Sequence, residues 1–238
     1  EKEKKKARSS KKPLKMVSQS HTTTFLLLTT FLFISRSISA VHIPPPLNTT
    51  TNDLDFIRTS CNATLYPQVC FTSLAGYASA VQDSPARLAK LAIGVSLSQA
   101  KSTAAYLSKL SRSAAVITST TKYSDGHQTA SAAIRDCVSN VEDAVDEMRG
   151  SLRQLRDMNG GVAAARRSVE TFRFQMSNVQ TWMSAALTDE DTCTDGFESL
   201  DEAGGIIKST VCDRVEEVKR LTSNALALVN TYANNGAP

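Results

Sequence analysis

Residues 134–155 read IRDCVSNVEDAVDEMRGSLRQL, and the spacing within that stretch decides the fold. Ile134, Cys137 or Val138, Val141, Val145, Met148, Leu152 and Leu155 recur every three to four positions, with charged residues between them. That is one apolar stripe on a helix. Extended from about Gln128 to Met158, it predicts roughly eight turns, about 45 Å at 1.5 Å per residue. Asn159-Gly160-Gly161 then ends it.

Working outward, the same pattern recurs three times. Before it, Ser84-Pro85 is a helix start, with Ser as N-cap and Pro at the first position. Leu88, Leu91, Val95, Ala100 or Leu97, Ala104, Leu107 and Leu110 follow at helical spacing, until Thr118 to Thr121 and Ser124-Asp125-Gly126 interrupt. After it come Val169, Phe172, Met176, Val179, Met183 and Ala186. The last stripe, begun after Gly204-Gly205, is Ile207, Val211, Val215, Val218, Leu221, Ala225 and Leu228. Four long amphipathic helices on short loops imply an all-α, antiparallel, up-and-down four-helix bundle. Upstream, Asp53 to Ser60 and Tyr66 to Ala80 read as two shorter helices around a turn at Asn62-Ala63-Thr64, an N-terminal helical hairpin. The expected bundle domain spans 53–233, with a tail at 234–238.

The N-terminal region is of another kind. Residues 1–15 (EKEKKKARSSKKPLK) are too charged to fold, and Met16 is the better start. Phe25 to Ile34 is an apolar run of about ten residues, short of the roughly 20 that span a bilayer. Small residues Ser37, Ser39 and Ala40 follow. This predicts a secretory signal cleaved near Ala40 rather than a membrane anchor, although from Met16 the polar stretch before the run carries no Lys or Arg. Residues 41–52 (VHIPPPLNTTTN) read as an extended linker. Removing 1–40 takes away nine of 27 Lys+Arg and two of 23 Asp+Glu, so a formal charge of +4 becomes −3. Nucleic-acid binding loses its basic patch with the leader. No later segment is apolar enough to span a membrane, so the expected product is soluble and secreted. Asn48-Thr49-Thr50 and Asn62-Ala63-Thr64 are sequons that would mark exposed backbone.

Of five cysteines, Cys61, Cys70, Cys137, Cys193 and Cys212, four would pair in the oxidising secretory route and one would be left over. Fifteen two-bridge connectivities are open to sequence alone.

The inventory for catalysis is thin. Past residue 40 the histidines are His42, in the linker, and His127, near a helix start. No G-x-S-x-G, H-E-x-x-H, C-x-x-C or phosphate-cradling loop occurs. Counted from Asp191, the string Asp191-Thr192-Cys193-Thr194-Asp195-Gly196 through Glu202 carries part of a calcium loop. Its third position is a cysteine, a poor calcium ligand. Thr188 with Asp191 reads better as a helix capping box. Trp182 reads as packing, and Glu142, Asp143, Asp146, Glu147, Arg149 and Arg153 as a solvated face. No cofactor and no metal are expected.

Two strings go further: Cys61-Asn62-Ala63-Thr64-Leu65-Tyr66-Pro67-Gln68-Val69-Cys70, and Val179 to Thr188 (VQTWMSAALT) continuing through Thr192-Cys193-Thr194-Asp195-Gly196-Phe197. With Ile134-Arg135-Asp136-Cys137 and Leu221 to Ala227 (LTSNALA), they resemble the plant invertase and pectin methylesterase inhibitor family over about 55–233. The resemblance implies a four-helix bundle with an N-terminal hairpin, bridges Cys61–Cys70 and Cys137–Cys193, and Cys212 free. It implies a secreted, apoplastic, non-enzymatic inhibitor. Its target would be pectin methylesterase, in a one-to-one complex, because Phe174 to Trp182 (FQMSNVQTW) looks like members directed to that enzyme. Invertase-directed members can use a Pro-Lys-Phe loop, and Met158-Asn159-Gly160-Gly161-Val162 has no proline. Acid invertase is the alternative target, and a structural or signalling wall protein with the same bundle the alternative role. By spacing, Asn140, Glu147, Ser151, Gln154, Arg173 and Ser177 lie off the apolar stripes and are the expected enzyme contacts. Glu147, at an ordinary carboxyl pKa near 4.3, would be the one whose protonation tunes binding.

Overall fold

The computed structural model describes residues 51–120, 125–159, 168–198, 200 and 205–235. The expected leader, residues 1–40, most of the linker, Asn48 and the calcium-loop end at Glu202 lie outside them. Among the described residues the helices are α1 (Thr51–Asn62), α2 (Pro67–Leu74), α3 (Ala78–Val81), α4 (Pro85–Thr120), α5 (Asp125–Asn159), α6 (Val169–Asp195) and α7 (Gly205–Asn235), with a single 3-10 turn at Ala75–Tyr77. No strand occurs among them.

The long helices begin where local chemistry starts a helix. At α4, Pro85 occupies the first position, the Arg87 amide donates to Ser84 Oγ, and the Leu88 amide donates to the Ser84 carbonyl. The preceding turn is tight enough to put Gln82 and Asp83 at φ of 49° and 52°. At α6, Ser168 caps the helix by accepting from the Thr171 amide at 3.1 Å. The amide would otherwise be one of the unsatisfied donors of a first turn.

Each long helix packs on its sequence neighbours and α7 closes back on α4, giving a four-membered ring. The cross-links run antiparallel. Gln99 bonds Glu217, while Tyr106, seven residues on in α4, lies under Arg214, three back in α7. Likewise Gln180 bonds Asn230 and Glu190 meets Thr222. The buried side chains fall into two sections. One holds Leu88, Ile93, Met148, Leu155, Phe172, Met176, Met183 and Val229 together with hairpin residues Ile57, Cys70 and Leu74. The other, at the opposite end, holds Leu107, Ile134, Val141, Phe197, Val211 and Val215 around the Cys137–Cys193 bridge.

Both bridges implied by the resemblance are present: Cys61–Cys70 with Cα atoms 5.5 Å apart and Cys137–Cys193 with Cα atoms 4.2 Å apart. Cys212 is free and half-buried, and burial raises its thiol pKa, so it is a weak nucleophile. Besides sharing the core, the hairpin is tied to the bundle by a polar side chain. Asn224 of α7 accepts from the Tyr66 amide and donates to the Tyr66 carbonyl, both at 3.0 Å. Within the hairpin the Arg58 guanidinium stacks on Phe71, 4.1 Å from the ring centre.

Several expectations change. Helix α6 does not end near Thr188. It runs to Asp195, and the Thr188 hydroxyl donates to the Ser184 carbonyl in mid-helix, so the capping-box reading is wrong. Its buried line continues as Ala186, Glu190, Cys193 and then Phe197. A glutamate in that line hid the last two turns from a search for apolar residues. Asp191 to Asp195 are therefore helical and do not form a calcium loop. Cys193 lies inside α6. Val169 is exposed, because it is the first residue of its helix. Helix α1 starts at Thr51 and α5 at Asp125, two and three residues before the sequence-based boundaries.

Candidate functional site

The outer surface of α5 and α6 carries a groove of about 700 Å³, lined by Asp143, Asp146, Glu147, Gly150, Arg153, Gln154, Asp157, Trp182 and Asp189. Its form follows from a close helix approach. Gly150 has no side chain, and a Cβ there would stand 3.3 Å from Trp182 Cε3, so the half-buried indole lies directly over the α5 backbone. Trp182 is packing and also part of the groove wall.

The groove is acidic. Against five lining carboxyls it carries the cation Arg153, while the neighbouring Arg149 is engaged with Asp146 one turn back. Glu147 and Asp189 face each other across the two helices and share a hydrogen bond. Burial first, then the charge and hydrogen bond of Asp189 and the charge of Asp143, push the Glu147 pKa up to about 7. Asp189 is also raised, by burial and by Asp143, against the hydrogen bond from Glu147. Two carboxyls this close share a proton more readily than both ionise. The pair therefore carries a proton in acid, and Glu147 titrates well above the ordinary value expected from sequence.

The six expected contact residues separate. Glu147 and Gln154 both line the groove. Asn140 is half-buried further along α5, towards the bridged end. Ser177 is exposed on α6. Arg173 is exposed too, but it borders a different depression, with Met176, Gln180, Ala233 and Asn234 on the α7 side. Ser151 is a correction, being completely buried. The inward line of α5 is Ala144, Met148, Ser151, Leu155 and Met158, with Leu152 only half-buried beside it. A small hydroxyl residue fills a core position there, so its polarity was no guide to its direction.

Three surface features went unread in the sequence. Phe174 is 67% exposed, a bare aromatic on the outer face of α6 just before Ser177. Its two-residue offset from the buried Phe172 was the available signal. Asp189 is the second, the partner of Glu147 across the two helices. Along α6, the exposed hydroxyls of Thr181, Thr188 and Thr192 donate to carbonyls four residues back, forming a hydroxyl ridge on the same helix.

His127 lies in the first turn of α5, with its side chain outside the described residues, as is His42. Among the described residues no group of three or more His, Cys, Asp or Glu could hold a metal ion. Asn62 is exposed at the end of α1, while Thr64 of its sequon is buried and donates to the Cys61 carbonyl at 2.8 Å.

Comparison with known proteins agrees with this architecture. The family model described as plant invertase/pectin methylesterase inhibitor matches residues 55–228. Pectinesterase inhibitor 11 of Arabidopsis thaliana is 38% identical over 218 residues, 92% of this chain and 98% of that protein. Pectinesterase inhibitor 10 of the same plant is 40% identical over 182 residues, 76% of this chain and 52% of its own length. Among solved structures, a mutant form of a pectin methylesterase inhibitor from Arabidopsis superposes with a TM-score of 0.53 at 21% identity, covering 73% of this chain and 95% of that one. That likeness concerns the fold, and the matched family model adds the lineage: the chain belongs to the plant invertase/pectin methylesterase inhibitor family.

Proposed function

We propose that this chain is a secreted protein inhibitor of plant pectin methylesterase that binds the enzyme reversibly, one to one, without cofactor. The observation that carries the reading is the division of labour on α5 and α6. Their apolar lines, Ile134 to Met158 and Phe172 to Cys193, are spent on the core. Their outer faces are left with a polar groove, a hydroxyl ridge and an exposed Phe174. Such a surface has the makings of a protein contact, an aromatic anchor with a polar surround. It offers no nucleophile–base pair. Named relatives of high coverage are inhibitors of pectinesterase.

The mode of action is occlusion. A rigid two-helix face laid over the substrate groove of the enzyme excludes the polymer without making or breaking a bond. The compartment is the apoplast, reached by removal of residues 1–40. No helix among the described residues is long and apolar enough to cross a membrane. Asn62 and Asn48 are glycosylation sites in this reading.

The test is a double substitution, Glu147→Arg with Gln154→Arg, assayed against pectin methylesterase and acid invertase. Loss of pectin methylesterase inhibition with an unchanged helical circular dichroism spectrum supports this face. Unchanged inhibition places the contact elsewhere. If the unsubstituted chain slows only invertase, that enzyme is the target; if it slows neither, the bundle has a non-inhibitory role.

A further inference from the structure

Helix α6 carries three consecutive carboxyls that face three ways. Asp189 meets Glu147 of α5. Asp191 pairs with Lys219 of α7 at 2.6 Å. Glu190, between them, points into the α6–α7 seam and is completely buried. Its surroundings are unusual for a charge. The Thr222 hydroxyl oxygen lies 2.9 Å from Glu190 Oε1 and 3.0 Å from the Val218 carbonyl oxygen. Glu190 Oε2 has no hydrogen-bond partner.

A hydroxyl has one hydrogen to give. Thr222 cannot donate to both oxygens, and the Val218 carbonyl can only accept. If Glu190 is ionised, one of the two contacts has no hydrogen between its oxygens, and a buried carboxylate is left with at most one donor. If Glu190 is protonated, both contacts are satisfied in sequence. The bare Oε2 is then the carbonyl oxygen of a neutral acid, which costs far less to bury than half of a carboxylate.

We propose that Glu190 is a proton-loaded lock on the α6–α7 seam: as a neutral carboxylic acid it donates to the Thr222 hydroxyl, which donates onward to the Val218 carbonyl, and loss of that proton loosens the seam. The charged groups that bear on it are Asp189 and Asp191 on its own helix and Lys219 on α7. Lys219 is already shared between Asp191 and Glu216, so it does not serve as a counter-ion for Glu190. Burial is the main influence and raises the Glu190 pKa to about 8, with Asp191 and Asp189 adding to it and Thr222 and Lys219 opposing.

The direction follows from linkage. The folded state holds this proton to a higher pH than the unfolded chain, whose glutamate titrates near 4.3. Stability from the lock is therefore complete in acid and is lost progressively as pH rises from there towards about 8. The fold itself is thus tuned to an acidic compartment, whatever its surface binds.

The experiment is urea unfolding between pH 5 and pH 8 for the full chain and for Glu190→Gln. A glutamine amide can donate to Thr222 and cannot ionise, so it keeps the lock closed at every pH. The folded-to-unfolded ratio of the unsubstituted chain should fall at least about tenfold more across this range than that of Glu190→Gln, one pKa unit being a factor of ten. Parallel pH profiles would overturn the proposal. A second measurement needs no variant: the side-chain carboxyl carbon resonance of Glu190, assigned through its bonds, should titrate well above the ordinary carboxylate range. A midpoint within that range would overturn the proposal equally. Neither readout involves an enzyme, so the lock and the proposed inhibition stand or fall separately.

Discussion

At the residue scale, Glu147 and Phe174 bear most directly on binding. Glu147 shares a proton with Asp189 and is pushed up to about 7. Covered by the enzyme, the protonated pair buries at most one charge, and full ionisation would bury a second. Inhibition should be strongest in acid and weaken as pH rises through about 7. Glu147→Gln should flatten the inhibition constant over that range, which a pH series of inhibition assays checks. Phe174 exposes most of its ring on α6 without contributing to the core. Phe174→Ala should weaken inhibition by about tenfold or more, as loss of an aromatic anchor does. It should leave the urea midpoint unchanged. The sequence placed Glu147 and Gln154 off the apolar stripe correctly, because a 3.6-residue period fixes which way a long polar side chain starts out. It failed at Ser151 and passed over Glu190. A core position can be filled by a small hydroxyl, or by an acid with a partner on another helix, and neither leaves a mark in local periodicity.

At the element scale, the bundle was legible because each long helix repeats its apolar line many times, so single exceptions do not erase it. Helix ends were less legible. The end of α6 is set by the bridge at Cys193 and by Phe197 beneath the second core section, contacts distant in sequence. The attachment of the hairpin was not readable at all. It combines apolar residues shared with the bundle core and Asn224 meeting the Tyr66 peptide across 158 positions. Asn224→Ala removes both bonds and strands a part-buried amide and carbonyl, at a cost of about 1–3 kcal/mol. The loss should appear as a lower urea midpoint and as faster proteolytic cleavage between α1 and α2. Gly150→Ala tests the close contact of α5 with α6. The added methyl must displace the indole 3.3 Å away, so the emission of Trp182, the single tryptophan of the chain, should shift.

At the scale of the whole molecule, the two bridges anchor different parts of the fold. Cys61–Cys70 spans 9 positions and closes the hairpin. Cys137–Cys193 spans 56 and ties α5 to α6 beyond the groove. Chain-entropy estimates give them about 2.7 and 4 kcal/mol. Replacing Cys137 and Cys193 together by alanine should cost enough to bring a domain of ordinary stability near its unfolding limit at 37 °C. Thermal denaturation of the double variant checks this. The bundle, its bridges and the groove between two helices all serve one claim, that a preformed helical face blocks an enzyme. The measurement that tests it most directly is a titration of purified pectin methylesterase with the purified chain at acidic pH, followed by release of methanol from pectin. The account predicts saturable inhibition, reversed on dilution, with an equivalence point of about one inhibitor per enzyme. Undiminished methanol release at a large excess of folded chain would contradict it.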